Sequence, residues 1–274
     1  MIRKFAKHKL GMTGLVLASI LVATAILAPV IAPYPPSQQS LRNRLQPPGT
    51  PGHVLGTDEL GRDILSRVIW GARISLSVGI IAVAVGAVIG VPLGLIAAMS
   101  RRADSWILGL MDLMLAFPGI LLALLIVAVL GVGIVNVTIA IGIYGIPMFT
   151  RLARAAAIVV REQEYVAAAR AIGVSDAMIV VRHVLPNCMS PLVVQGTFRL
   201  ATAILITAML SFLGLGAQPP SPEWGTMLST GRVYTMLSPH VMVFPGIAIF
   251  VTVLAFNLIG DGLRDVLDPR DAGT

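Results

Sequence analysis

The sequence predicts an all-α membrane protein with six transmembrane helices, and three observations support this. Apolar residues make up 56% and charged residues only 12% of the 274-residue chain, whereas a soluble domain contains about 25% charged residues. Most of the apolar runs reach the roughly 20 residues that cross ~30 Å of hydrocarbon. Basic residues are also unequally divided between the two sides of the membrane. The six runs are 11–33, 74–99, 106–130, 134–150, 191–217 and 241–260.

The distribution of basic residues predicts the orientation of the chain. With six spans and a cytoplasmic N-terminus, thirteen of the 20 lysines and arginines fall in cytoplasmic segments, six in outer segments, and Arg199 within a span. This is the positive-inside bias, and it places both termini in the cytoplasm. Because orientation accounts for the net charge of +7, we expect no nucleic-acid binding.

Residues 1–33 are interpreted as a cytoplasmic tail and a first transmembrane helix. Their apolar run is longer than the 7–15 residues of a secretory signal peptide, and five more runs follow it. Cys188 is the only cysteine, so internal disulfides and cysteine-based metal clusters are excluded. The four histidines are scattered without ligand spacing, and no metal site is predicted.

The outer segments are predicted to contain short helices. Residues 34–73 begin as a Pro- and Gly-rich loop, and Thr57 is a suitable N-cap for an amphipathic helix over 57–73. A second short helix is expected near Trp224–Leu228, after Glu223. Trp70 and Trp224 can equally be read as anchors at the membrane interface.

Several residues within the spans predict helix packing and charge pairing. Gly86, Gly90 and Gly94 recur every four residues, which lets another helix approach closely. Pro92 and Pro118 are expected to bend their spans. Asp112 and Arg199 each lie ~12 Å along their helices from the inner boundary. Opposite charges at equal depth predict an ion pair, and the alternative is that each charge meets polar groups or water separately.

The cytoplasmic segment 158–190 is predicted to be a helical hairpin. Glu162–Ile172 has helix-forming composition, and Gly173 suits the left-handed residue that ends a helix. Ser175 is a natural N-cap for a second helix, which Pro186 is expected to end. The hairpin can rest on lipid headgroups, or it can present a short helix to a cleft in a soluble partner.

The hairpin resembles the cytoplasmic "EAA" loop of permease subunits in bacterial ATP-binding-cassette importers. The matching residues are in the right order and spacing, although Ala167 stands where the family has a glutamate. They are Glu164, Tyr165, Ala168, Ala169, Arg170, Gly173, Leu185, Pro186 and Asn187. Three further segments resemble the C-type permeases of the dipeptide, oligopeptide and nickel branch: "LGTDELGRDILSRVIWGARISL" (55–76), "FLGLGAQPPSPEWGTML" (212–228) and "VLAFNLIGDGLRDVLDPR" (253–270).

This resemblance implies a type I importer permease fold in the bacterial inner membrane. Residues 74–260 would be the core transmembrane domain and 261–274 a cytoplasmic tail. The helix around Glu164–Ile172 would be the coupling helix that docks into a cytoplasmic ATPase. The implied partners are a B-type permease subunit, two ATPase subunits and a periplasmic or lipid-anchored binding protein. The binding protein would land on an outer docking surface that includes Arg62, Trp70, Glu223 and Trp224.

The function implied is ATP-driven uptake of dipeptides, oligopeptides, nickel chelates or glutathione. No cofactor is expected in this chain, because a phosphate-binding loop needs a lysine after its glycines and no lysine follows Lys9. ATP and Mg²⁺ would therefore be bound by the ATPase subunits. The alternative is a stand-alone channel or ion-coupled carrier that uses Asp112 and Arg199. An intramembrane enzyme is disfavoured, because the sequence has no His-Glu-x-x-His or Gly-x-Ser-x-Gly motif.

Overall fold

The computed structural model describes residues 2–6 and 8–267, and the regular structure of these residues is helical. Three short non-α turns accompany the α-helices: 3₁₀ turns at Leu41–Asn43 and Arg232–Tyr234, and a π turn at Val180–Val184. The α-helices are α1 (Ile2–Phe5), α2 (Lys9–Ile31), α3 (Ile64–Met99), α4 (Arg101–Ala116), α5 (Gly119–Leu130), α6 (Ile134–Arg161), α7 (Glu164–Ala171), α8 (Asp176–Ile179), α9 (Leu185–Phe212), α10 (Trp224–Gly231) and α11 (His240–Leu267).

Five helical segments of the described chain are long and apolar enough to cross a membrane, and a sixth span is broken. The five are α2, α3, α6, the continuous segment from α8 through α9, and α11. The predicted third span consists of α4 and α5, which meet at 92°. Pro118 separates them, because proline disfavours helical geometry at the preceding residue and cannot donate a backbone hydrogen bond. The predicted bend at Pro118 is therefore confirmed, and the six spans include one that is not a single helix.

The predicted short surface helix over 57–73, leading into the second span, is wrong in its start and in its separation from the span. α3 begins only at Ile64, and it continues without interruption into the membrane span. Asp63 is its N-cap, with a carboxylate oxygen accepting from the Ser66 N–H at 2.8 Å. The Thr57 hydroxyl instead accepts from the Gln46 N–H at 2.9 Å. Thr57 therefore stabilises a turn of the loop, and Asp63 caps the helix.

Two predicted helix ends are also corrected. Pro186 does not end the second hairpin helix, since α8, the π turn and α9 form one continuous segment from Asp176 to Phe212. A π turn widens the helix just before Pro186, which lies in the first turn of α9 where a missing N–H is tolerated. Residues 261–267, predicted to be tail, continue α11. The rest of that tail, 268–274, lies outside the described residues, as do Met1 and Lys7 of the predicted N-terminal tail.

The close pairing of α3 with α6 forms the centre of the bundle. A Cβ added at Gly90 would lie 2.7 Å from the Ile146 carbonyl oxygen, and one at Gly94 would lie 2.8 Å from Ala153 Cβ. Both positions therefore admit only glycine at this helix separation, as the four-residue spacing predicts. This contact orients α6 so that its C-terminal end leads directly into the hairpin.

The bundle has two ends, which we name by their contents. The hairpin end contains residues 158–190 together with the C-terminal end of α3, as Leu95 and Ala98 share a buried cluster with the hairpin. The cap end contains the two connecting segments 32–63 and 213–239. These segments pack on each other and on α3: Arg44 Nη2 donates to the Tyr234 hydroxyl at 3.0 Å, and Trp224 Nε1 donates to the Val68 carbonyl at 3.0 Å.

Candidate functional site

The hairpin has a buried face that attaches it to the spans. Val166 and Ala169 point inward from α7 and are buried, as are Ile179 of α8 and Val184 of the π turn. These side chains join Phe149, Ala153, Ala157, Cys188 and Leu192 in one apolar cluster. α7 therefore shares one buried cluster with the end of α6 and the start of α9. A displacement of α7 would be passed to both spans, because a close-packed core transmits strain.

The opposite face of the hairpin is exposed. It carries small side chains such as Ala167 and Ala168, and apolar ones that would normally be buried. Ile172 is 82% exposed and Tyr165 is 45% exposed. Of the residues predicted to couple to an ATPase, most are on this face: Glu164, Tyr165, Ala168, Arg170 and Gly173. Ala169 points into the core instead, Leu185 packs against the apolar cluster, and Pro186 is exposed at the start of α9.

The turn after α7 depends on Gly173, as predicted. Gly173 has φ +85°, and its N–H donates to the Arg170 carbonyl at 3.0 Å, while the Val174 N–H donates to the Ala169 carbonyl at 3.1 Å. This pair of bonds is the Schellman motif, in which the residue with positive φ is normally glycine. Across the turn, Arg170 Nη2 lies 2.9 Å from Asp176 Oδ1, and both side chains are exposed. The backbone turn therefore orients the hairpin, since exposed ion pairs add little.

Arginines connect the hairpin end to the neighbouring spans. Arg161, at the end of α6, donates to the Ala98 carbonyl at the end of α3. Arg154 pairs with Asp104 of α4 through both carboxylate oxygens, with Nη2 2.6 Å from Oδ2. α4 thus reaches α6 through an ion pair one turn from where α6 meets the hairpin.

The predicted ion pair between Asp112 and Arg199 is wrong. Asp112 pairs with Arg151 of α6, and Arg199 lies over the ring of Tyr144, with its guanidinium carbon 4.7 Å from the ring centroid. The depth comparison treated the third span as a straight helix. The bend at Pro118 ends α4 four residues after Asp112, and α6 provides the nearer arginine.

The charged residues predicted for the docking surface at the cap end are not available to a partner, since both are buried. Arg62 and Glu223 are 2% and 1% exposed. Arg62 Nε lies 2.6 Å from Asp58 Oδ2, and Glu223 caps α10 by accepting from the N–H groups of Gly225 and Thr226.

The two tryptophans predicted for that surface are also buried or half-buried. Trp224 is 1% exposed and lies against Gly71, while Trp70 is half-buried beside Arg73. These residues hold the cap together. The cap end does expose apolar side chains, and sequence reasoning missed them: Val233, Met236 and Leu237.

The described residues contain no group of three His, Cys, Asp or Glu side chains that could hold a metal ion.

Sequence reasoning also missed Tyr144 and Ile172. Tyr144 was part of an apolar run, and only its contact with Arg199 distinguishes it. Ile172 could have been predicted from its position immediately before the glycine of the Schellman turn. In the structure its side chain is exposed there.

Comparison with known proteins places the chain in one family. Residues 90–271 match the family described as the inner membrane component of binding-protein-dependent transport systems. Residues 1–48 match the N-terminal transmembrane domain of oligopeptide transport permease C. Together these matches cover both ends of the chain, and the first includes the whole hairpin.

Similar whole-length proteins agree with this assignment. The glutathione transport system permease protein GsiD of Escherichia coli O157:H7 is 49% identical over 275 residues, covering 99% of this chain and 90% of that protein. A protein of Brucella abortus biovar 1, provisionally named a peptide transport system permease, is 48% identical over 268 residues, covering 98% of this chain and 90% of that one.

Solved structures show the same fold at low sequence identity. An inward-facing form of the MetNI methionine ABC transporter matches with a TM-score of 0.61 and 19% identity, over 75% of this chain and 98% of that chain. An amino acid ABC transporter crystallised with histidines matches with a TM-score of 0.55 and 16% identity, over 72% and 92% of the two chains. The chain therefore belongs to the family of binding-protein-dependent transport system inner membrane components, and it is a multi-pass permease subunit of an ATP-binding-cassette transporter.

Proposed function

We propose that this permease takes up small peptides, including peptides of the glutathione type, and works with a second, B-type permease subunit. Two ATPase subunits would bind ATP and Mg²⁺, and a periplasmic or lipid-anchored binding protein would deliver the peptide. The substrate class follows from the names of the similar permeases, which are assigned to glutathione and peptide transport. The observation that carries the coupling role is the hairpin, with one face packed on two spans and the other face exposed.

The exposed face of the hairpin fits a groove on a soluble partner. Ala167 and Ala168 allow close approach, and Tyr165 and Ile172 supply apolar area that water would otherwise cover. Closure of the two ATPases would move α7, and the apolar cluster would pass that movement to α6 and α9. The resemblance to the coupling loop supports this assignment, and with Ala167 at this position the partner groove would accept a methyl group in place of a carboxylate.

We place the hairpin end in the cytoplasm, together with both termini. The excess of basic residues on this side supports that orientation. The cap end would then face the binding protein, with Val233, Met236 and Leu237 as the apolar side chains available for contact. Arg62 and Glu223 would act indirectly, by keeping the cap folded.

The chain itself would be non-catalytic and without a cofactor. The absence of any lysine after Lys9 supports this, since a phosphate-binding loop depends on lysine. The alternative of a stand-alone carrier loses its support, because Asp112 is paired with Arg151 instead of facing a pathway alone with Arg199.

The experiment is transport by the complete complex carrying changes at Gly173. Gly173→Val should abolish peptide uptake and peptide-stimulated ATP hydrolysis while membrane insertion is retained, because a β-branched residue resists φ +85°. Gly173→Asn should retain most activity, since asparagine tolerates this region. Gly109→Val is the matched control, as nothing lies within 4 Å of a Cβ at either glycine. Normal coupling in Gly173→Val would contradict the proposed role of the hairpin.

A further inference from the structure

Arg199 and Tyr144 lie near the middle of the membrane. At 1.5 Å per residue, Tyr144 is about 15 Å from the start of α6, half of a hydrocarbon layer of ~30 Å. Arg199 of α9 is at the same level, because its guanidinium carbon lies 4.7 Å from the centroid of the Tyr144 ring. A cation at this depth is unfavourable unless protein groups or water face it, and such residues commonly mark solute pathways.

The three arginines of α6 all have partners. Arg151 pairs with Asp112, Arg154 with Asp104, and Arg161 donates to the Ala98 carbonyl. Within the described part of the chain, Arg199 has no acidic partner within ion-pair distance and donates no hydrogen bond; its contact is the tyrosine ring. Its positive charge is therefore left for an anion that this chain does not supply.

The geometry around Arg199 suits an anion with two oxygens. The tyrosine ring covers a face of the guanidinium group, which leaves the N–H groups at its edge free for hydrogen bonds in its plane. A planar fork of N–H groups matches the two oxygens of a carboxylate. Gly145 gives the group room, since a Cβ there would lie 3.3 Å from Arg199 Nη2. The Tyr144 ring also contacts Gly119, at the break in the third span, so its position is fixed from two sides.

Two open spaces lie along α9, one on each side of the level of Arg199. Toward the hairpin end, a cavity of about 580 Å³ is lined by Ser190, Gln195 and Arg264 together with apolar side chains. Toward the cap end, an apolar groove of about 440 Å³ is lined by residues including Leu205 and Met209. Arg199 lies between them in the sequence of α9. A solute that moved along α9 from one space to the other would cross the level of Arg199.

We propose that Arg199, held by Tyr144, is a binding site for a carboxylate of the transported peptide at the membrane midpoint. The proposal rests on the proposed peptide uptake and names the chemical group that the pathway recognises. A carboxylate arriving here gains a charge-assisted bidentate contact, and it neutralises a cation that is otherwise unpaired in the membrane. An acidic side chain of the second permease subunit is the competing occupant, and the tests below separate the two.

The first test compares two peptides that differ only in this group, trialanine and trialanine amide. Uptake is measured in proteoliposomes with the complete complex and binding protein, for wild type, Arg199→Gln and Arg199→Lys. A lost charge-assisted hydrogen bond corresponds to a roughly 10- to 100-fold change. Arg199→Gln should therefore slow trialanine uptake at least about tenfold relative to the amide, and Arg199→Lys should recover part of the loss. Arg73→Gln is the matched control, because Arg73 also lies over an aromatic ring, at 6.0 Å from Trp70, but at the cap end.

An equal loss for both peptides in Arg199→Gln would overturn the proposal. A wild-type complex that takes up neither peptide with ATP would instead contradict the proposed function, so the two failures are distinguishable.

The second test does not depend on delivery of the amide. Arg199→Cys is made in a Cys188→Ala background, and the rate of modification by a negatively charged methanethiosulfonate reagent is measured with and without trialanine. Modification that trialanine slows several-fold supports the site. Resistance to the reagent, or modification that trialanine leaves unchanged, would assign Arg199 to lipid or to the partner permease.

Discussion

The two ends of this bundle treat charged side chains in opposite ways. At the cap end, Asp58, Arg62 and Glu223 are buried, and each is satisfied by a neighbour within the chain. At the hairpin end, charged residues such as Glu164 are exposed, and Ile172 is left 82% exposed beside them. A polar residue in a connecting segment is thus no guide to a binding surface. The surfaces available to partners are those where apolar groups, such as Ile172 and Met236, remain uncovered after the chain has folded.

The difference follows from how each segment becomes ordered within a single chain. The cap segments are long and without regular structure over most of their length, so they need internal hydrogen bonds to be ordered at all. Arg67 Nη1, for example, donates to the Pro36 carbonyl at 3.0 Å. The hairpin is short and is fixed by its Schellman turn and its apolar cluster, which leaves its outer face free for a partner.

Removal of the buried tryptophan should have the largest effect on stability. Trp224→Ala should lower the free energy of unfolding by about 3–5 kcal/mol, because it leaves a cavity against Gly71 and removes the hydrogen bond to the Val68 carbonyl. Trp106→Ala is the matched control, since Trp106 of α4 is 84% exposed. Thermal unfolding of the purified complex measures both. Similar losses for the two variants would mean that the cap is not the packed unit described.

Replacing a glutamate near a helix start should affect stability differently at the two ends. Glu223→Ala should lower the free energy of unfolding by about 1–3 kcal/mol, because it uncaps α10 and leaves buried N–H groups unsatisfied. Glu164→Ala, in the exposed first turn of α7, should change it by less than about 0.5 kcal/mol. Denaturant or thermal unfolding checks this. A larger loss of unfolding free energy from Glu164→Ala than from Glu223→Ala would contradict the difference between the two ends.

The ion pair between α4 and α6 should produce a smaller, non-additive effect. Asp112→Asn and Arg151→Gln should show a coupling free energy of at least about 0.5 kcal/mol in a double-mutant cycle for stability. Asp112→Asn combined with Arg199→Gln should be additive within about 0.5 kcal/mol, because these residues do not meet. Additive losses for Asp112 and Arg151, together with coupling between Asp112 and Arg199, would instead support the ion pair that was predicted from helix depth.

Much of this architecture can be predicted from the sequence, and the failures have particular causes. Apolar run lengths predict the spans, and Gly173 predicts the turn, because each depends on local chemistry. The start of α3 was misplaced because Thr57 and Asp63 are both good caps, and only the tertiary loop decides between them. Pro186 was misread because a preceding π turn leaves no local signal. The partner of Asp112 and the burial of Arg62 and Glu223 depend on helix rotation and on contacts between distant segments, which run lengths do not encode.

The central claim is that the hairpin end, and not the cap end, is the surface that meets the ATPase. Single cysteines at Ile172 and Met236, which are 82% and 100% exposed, test it directly by crosslinking in membranes that contain the whole complex. A Cys188→Ala background removes the native thiol. We predict that Ile172→Cys crosslinks to an ATPase subunit, with a yield that changes when ATP is added, and that Met236→Cys gives no such product. A crosslink from Met236→Cys to the ATPase, with none from Ile172→Cys, would contradict the account.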